Sequence, residues 1–107
     1  MNLPFPIQTY FDADKGGDSD ALIHAFTPDA VVEDEGRFHA GHRAIKAWWR
    51  DVKTRYRHVI EPLDVAGSGD FAKVRARVTG QFPGSPAMLT FAFRLEGSRI
   101  AGLEIGA

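Results

Sequence analysis

Apolar positions change their period part-way along the chain, and that change predicts its elements. Pro4 and Pro6 delay regular structure, after which Ile7, Tyr10, Phe11 and Asp14 recur at helical spacing, which predicts a first helix over about residues 4 to 15. Gly16 and Gly17 stop it. Asp18 or Ser19 can cap a second helix, because a short side-chain oxygen there satisfies free amides of the first turn. Leu22, Ile23 and Phe26 form its apolar stripe, and Thr27 and Pro28 close it. Ala30 to Asp34 then reads as a strand, Gly36 as a turn, and Arg37 to Ala40 as a short paired strand. From Gly41 the residues Ala44, Ile45, Trp48, Trp49, Val52 and Tyr56 keep a period near 3.6, with basic residues between them, and predict the longest helix.

Beyond it the period falls to two. Strands are predicted at about 58 to 67, 71 to 82, 87 to 96 and 99 to 105, separated by runs rich in Gly, Ser and Pro. The alternation is cleanest where Ala72, Val74, Ala76 and Val78 face one way and Lys73, Arg75, Arg77 and Thr79 the other. The second half therefore reads as an antiparallel meander with one polar face. Helices first and strands after, with a small hairpin between, make an α+β order. No repeat, low-complexity tract or linker divides residues 1–107, so one domain is expected.

Composition narrows the function. At 44% hydrophobic and 25% charged, the chain has the balance of a globular protein. Thirteen basic against fourteen acidic side chains give a net charge of −1, so no overall field attracts nucleic acid. The absence of cysteine excludes disulfides and thiolate chemistry. No apolar run approaches the roughly 20 residues that span a bilayer, and Met1 to Gln8 lacks the pattern of a signal peptide. The expected place is the cytoplasm, away from membranes. The histidines His24, His39, His42 and His58 make no helical metal pattern, and Gly67-Ser68-Gly69 lacks the lysine of a phosphate loop. No metal and no cofactor are expected.

The candidate chemistry lies in a few residues. Glu33, Asp34 and Glu35 are consecutive, and alternation on a strand points Asp34 away from its neighbours and to the same side as Val32. If Val32 faces the core, Asp34 faces apolar walls, where its pKa rises and it becomes a stronger base. The same acidic run equally suits a solvated hairpin end. Tyr10 lies on the core-side stripe of the first helix, where a buried hydroxyl needs a partner. Trp48 and Trp49 point about 100° apart, so only one of them is expected to be central to a pocket. His39, on the strand after Asp34, can pair with a buried carboxylate or face solvent.

Gln8-Thr9-Tyr10, Gly17 to Leu22, Phe26 to Asp34 and Gly41 to Ile45 together resemble the NTF2-like superfamily, in the SnoaL-like group that includes polyketide cyclases and ketosteroid isomerases. The resemblance spans Gln8 to Gly106. It implies a cystatin-like cone, in which about three helices and a hairpin pack on a curved, mainly antiparallel sheet around a pocket. It also implies a small hydrophobic ligand and a homodimer through the sheet face, where Lys73, Arg75 and Arg77 lie. In the isomerases a tyrosine like Tyr10 donates to the enolate oxygen and an aspartate like Asp34 carries the proton. The acid that completes their oxyanion hole belongs where this chain has Phe91, and losing one such donor costs about 10²–10³ in rate. Phe26, Val32, His39, Trp48, Trp49, Phe82, Phe91 and Phe93 are the expected substrate walls. Glu104 is expected at an edge or dimer face.

Two functions follow. One is an enzyme moving a proton on a small apolar carbonyl compound, with Asp34 as base and Tyr10 as donor. The other is a ligand-binding or assembly module without chemistry, which the missing acid favours. Superfamily members also cyclise, dehydrate or hydrolyse epoxides, so fold alone does not choose.

Overall fold

The computed structural model describes residues 1–107. Helix α1 runs Phe5–Gly16, with prolines at its start, where a missing N–H costs nothing. Gly17 ends it in the left-handed conformation at φ 68°, its N–H reaching the carbonyls of Ala13 and Asp14. Helix α2 is the short Ser19–His24, and Asp18 caps it by accepting the Ala21 N–H at 3.0 Å.

Strand β1, Phe26–Asp34, starts four residues before the expected Ala30. Phe26 was expected on the α2 stripe, but it lies in a strand opposite Ile100, next to the bond from the Ile100 N–H to the Ala25 carbonyl at 2.7 Å. Burying Phe26 against a parallel neighbour outweighs the local helical preference, since a fully buried Phe contributes about 1.5–3 kcal/mol. Pairing then breaks until Val31, across a segment in which Pro28 has no N–H to offer. Glu35 (φ 53°) and Gly36 (φ 75°) form a tight turn with both central residues left-handed, the geometry that joins two strands at this length. Strand β2 is Arg37–Ala40 and helix α3 is Gly41–Tyr56.

The meander follows as β3 (Val59–Ser68), β4 (Phe71–Thr79), β5 (Ala87–Glu96) and β6 (Arg99–Gly106). Strand β4 stops at Thr79 and not at about 82. There the chain is tied to the end of α3, with Gln81 N–H donating to the Tyr56 carbonyl at 2.7 Å and Gly80 N–H to Ser85 Oγ at 3.0 Å. A Cβ on Gly80 would meet the Tyr56 carbonyl oxygen at 2.7 Å, so only glycine allows this approach.

One six-stranded sheet results, in the order β2-β1-β6-β5-β4-β3. β1 and β6 are parallel and every other neighbouring pair is antiparallel. Irregularities at Pro62/Asp64 and Arg94/Leu95 bend the strands, and the curved sheet wraps the three helices on one face. The alternation in β4 is as expected: Ala72, Val74, Ala76 and Val78 are buried and their neighbours exposed. On the outer face Arg75 pairs with Asp64 at 3.0 Å and Arg77 with Glu61 at 2.8 Å, exposed contacts worth little each. Glu104 is not at an edge, because β6 lies between β1 and β5; it is exposed opposite Glu33. No helix is long and apolar enough to cross a membrane.

Candidate functional site

The helices do not fill the hollow of the sheet. A cavity of about 610 Å³ remains between Tyr10 of α1, the Trp48, Trp49, Val52 and Tyr56 face of α3, and the sheet residues Ile60, Val78, Leu89, Phe91 and Ile105. Phe82 and Pro83, on the loop tied to α3, also line it. Such a size, with mostly apolar walls and few polar groups, suits a small organic ligand.

Asp34 ends β1 and turns its carboxylate into this space, half-buried. Its Oδ2 accepts the Trp48 indole N–H at 3.0 Å. Burial raises its pKa above the ordinary aspartate value and the nearby Glu35 adds to that, against the lowering by the Trp48 bond and by His39. Glu35 also borders the cavity, where it accepts the Tyr56 hydroxyl at 3.0 Å.

Tyr10 is 1% exposed and its ring packs edge-on against Phe26 and Phe93, each 5.8 Å away between centroids. Its hydroxyl has no protein partner, although no buried side-chain nitrogen or oxygen in the molecule lacks one. The hydroxyl is therefore open, and the cavity is the space that Tyr10 borders. Burial, then Asp14 and Asp34, push its pKa well above the ordinary tyrosine value. It is held as a hydrogen-bond donor.

A second polar cluster lies beside the first. Trp49, the next residue on α3, donates its indole N–H to Asp14 Oδ2 at 2.8 Å. The same oxygen is 2.7 Å from His58 Nε2, and Asp14 Oδ1 accepts Lys53 Nζ at 3.1 Å. Burial opposes ionisation of Asp14, but these donors together lower its pKa below the ordinary value. Asp14 is thus a carboxylate, which accepts only, so His58 Nε2 is the nitrogen that carries a proton. Arg57 sets the ring's place: left-handed at φ 49°, it ends α3 and turns the chain so that Lys53 Nζ also donates to the His58 carbonyl at 2.8 Å. His58 borders the cavity.

Of the expected wall residues, Trp48, Trp49, Phe82 and Phe91 line the cavity. Both tryptophans do so, each held by its own carboxylate, and their 100° divergence spreads them along a wall that α3 crosses. Phe26, Val32 and Phe93 do not line it; they are fully buried in the core, where the two phenylalanines hold the Tyr10 ring. His39 does not line it but lies in an adjoining polar recess that shares Asp34, Glu35, Trp48 and Val52 with the cavity and adds Arg37, Asp51 and Arg55, its ring 5.9 Å from that of Trp48. Phe91 is a wall of the cavity, its ring 6.5 Å from that of Tyr10. Asp14 and His58 were not among the candidates. The available signal was a carboxylate at the end of the apolar α1 stripe, since a charge facing a core requires partners.

The SnoaL-like domain family matches residues 7–103. A crystal structure of a provisionally named polyketide cyclase from Sinorhizobium meliloti is 52% identical in sequence, with TM-score 0.95, covering 97% of this chain and 95% of its own. A protein of ketosteroid isomerase-like fold from Catenulispora acidiphila, in complex with trimethylamine, is similar at 18% identity and TM-score 0.86, covering 99% of this chain and 87% of its own. TerC, co-crystallised with polyporic acid, is similar at 18% and TM-score 0.80, covering 94% and 87%. The last two likenesses establish the fold alone. No curated protein matches the sequence.

Proposed function

The chain belongs to the family of SnoaL-like domains, and from that premise we propose that it is a proton-transfer enzyme acting on a small apolar carbonyl compound. One observation carries the reading: the Asp34 carboxylate and the unpartnered Tyr10 hydroxyl border the same apolar cavity. Asp34 removes a proton from the carbon next to the carbonyl, and the charge that develops on oxygen is met by the Tyr10 hydroxyl. Its raised pKa brings Asp34 closer to the carbon acid it must deprotonate. The raised pKa of Tyr10 keeps its proton on the phenol, so it donates without transferring. Trp48 fixes the carboxylate from the helix side. The step draws only on side chains of the chain itself.

A second reading, holding an apolar ligand without chemistry, is favoured by Phe91, which leaves the oxyanion one donor short. Exchange of the methyl protons of acetophenone in heavy water, followed by NMR, separates the two. The enzyme reading expects exchange above background in the wild type and a loss of about 10²–10⁴-fold in Asp34→Asn. Binding without any exchange establishes the second reading and ends the first.

A further inference from the structure

The cluster of Asp14, Trp49, Lys53 and His58 has no part in the step just described, yet it opens on the same cavity. Asp14 spends both its oxygens on Trp49, His58 and Lys53 within the cluster, but His58 keeps one ring nitrogen free. Its Nε2 is occupied by Asp14, which is ionised and fixes the proton there. Its Nδ1 has no partner, and no buried side-chain nitrogen lacks one, so Nδ1 is open. The cavity is the space that His58 borders, and the ring is otherwise buried, with 10% of its side chain exposed. A carboxylate holding one imidazole nitrogen and leaving the other free is the arrangement that lets a histidine accept a proton and stabilises the imidazolium that results.

We infer that His58, oriented by Asp14, is a second proton carrier of this cavity, serving a substrate oxygen while Asp34 serves a substrate carbon, so that the site is built for a β-hydroxy carbonyl compound. This deepens the proton-transfer reading and depends on it. Isomerisation needs only one carrier, which takes a proton and returns it. Loss of water from a β-hydroxy ketone needs two. Asp34 takes the proton from the carbon between the carbonyl and the carbinol, and the electron pair of that C–H bond forms the enolate facing Tyr10. His58 enters the step as the imidazolium, with a second proton taken from solvent onto Nδ1 and the charge met by Asp14. The enolate then collapses: the C=O re-forms, its electrons form the new C=C bond, and the C–O bond breaks. The departing hydroxide takes that Nδ1 proton and leaves as water, returning His58 to the neutral ring. One proton has gone to Asp34 and one has come from His58, and exchange with solvent resets both. Asp14 is a positioning residue in this scheme, touching the imidazole and not the substrate.

The two carriers are set apart by adjacent residues of one helix. Trp48 holds Asp34 and Trp49 holds Asp14, so α3 fixes the distance between the carbon-side and the oxygen-side groups. Lys53, one turn further on, compensates the charge of Asp14 when His58 is neutral.

The probe is the aldol adduct of acetone and benzaldehyde, whose dehydration gives benzalacetone and a rise in near-ultraviolet absorbance. Wild-type protein is expected to dehydrate it, and His58→Gln to lose that rate by about 10²–10⁴-fold, at least about tenfold more than it loses of acetophenone exchange. Nitrogen NMR of the wild type provides a second readout that needs no variant: Nε2 protonated and hydrogen-bonded, and the Nδ1 resonance moving when the adduct is added. Exchange without dehydration in the wild type, equal loss of both rates in His58→Gln, or an Nδ1 signal indifferent to the adduct each overturns the inference and leaves the Asp34 reading standing. No exchange by the wild type sinks that reading, and this one with it.

Discussion

Asp14 and Asp34 are the same residue type, each beneath a tryptophan of α3, and their acidities move in opposite directions. Asp14 is the more deeply buried, at 1% exposure, yet it is the one whose pKa is lowered. Three donors on two oxygens offset its desolvation. Asp34 is half-buried with one side-chain donor and an acidic neighbour, and desolvation wins. Depth alone does not make a base; the ratio of burial to donors does. One wall of the cavity, formed by Trp49 and His58, is therefore backed by a fixed charge, and the other carries a carboxylate whose affinity for a proton is raised.

The largest expected effect breaks the fixed-charge wall. Asp14→Ala leaves the Lys53 ammonium and the Trp49 indole N–H without their acceptor, and removing one partner of a buried ion pair costs about 3–5 kcal/mol. Asp34→Ala, at the half-open wall, is expected to cost less than about 1 kcal/mol. Urea unfolding of both variants measures the difference, and equal losses would erase the distinction between the walls.

Tyr10→Phe separates chemistry from packing. Because the hydroxyl has no protein partner, the urea midpoint is expected to stay within about 0.5 kcal/mol of wild type, while the exchange rate falls about 10²–10³-fold. A stability loss above about 1 kcal/mol would mean that the hydroxyl is bonded within the core, and would remove it from the site.

The smallest effect is the sign of pH dependence. Asp14 has a folded pKa below its unfolded value, so its stabilisation is complete above the unfolded value near about 4 and fades as pH falls through the folded one. Asp34 has a folded pKa above its unfolded value, so its ionisation opposes folding. That penalty is absent below about pH 4 and full once pH exceeds the raised value. Thermal midpoints across the acid range are expected to show a shallower acid limb in Asp14→Asn, and in Asp34→Asn a gain confined to the less acid end. The same sign in both variants would contradict the contrast.

The sequence pattern is informative where one segment carries its own reason. The alternation of Ala72 to Val78 and the stripe of α3 predicted a strand and a helix, and both formed with their apolar sides inward. It misleads where a distant partner decides. Phe26 fits a helix stripe until β6 arrives beside it, because Ile100 and Ala25 are joined only by the parallel pairing of β1 and β6. The walls divide in the same way. Asp34 was legible because Val32, two residues before it, fixed its face. Phe26, Val32 and Phe93 were assigned to the pocket because an apolar residue gives no local sign of whether a helix or an empty space covers it.

The α+β order of the elements and the exposed basic face of β4 follow from the chain's own periodicity, since each depends on spacings of a few residues, whereas the pairing of Asp34 with Tyr10 came from the family resemblance and not from any local spacing. Only the tertiary structure decided that Asp14 in α1 meets His58, the residue just before β3 and 44 positions away, and that consecutive tryptophans hold different carboxylates. Proton affinity depends on which donors surround a group in space, and those donors come from α3 and from the segment that follows it, far in sequence from the carboxylates they hold.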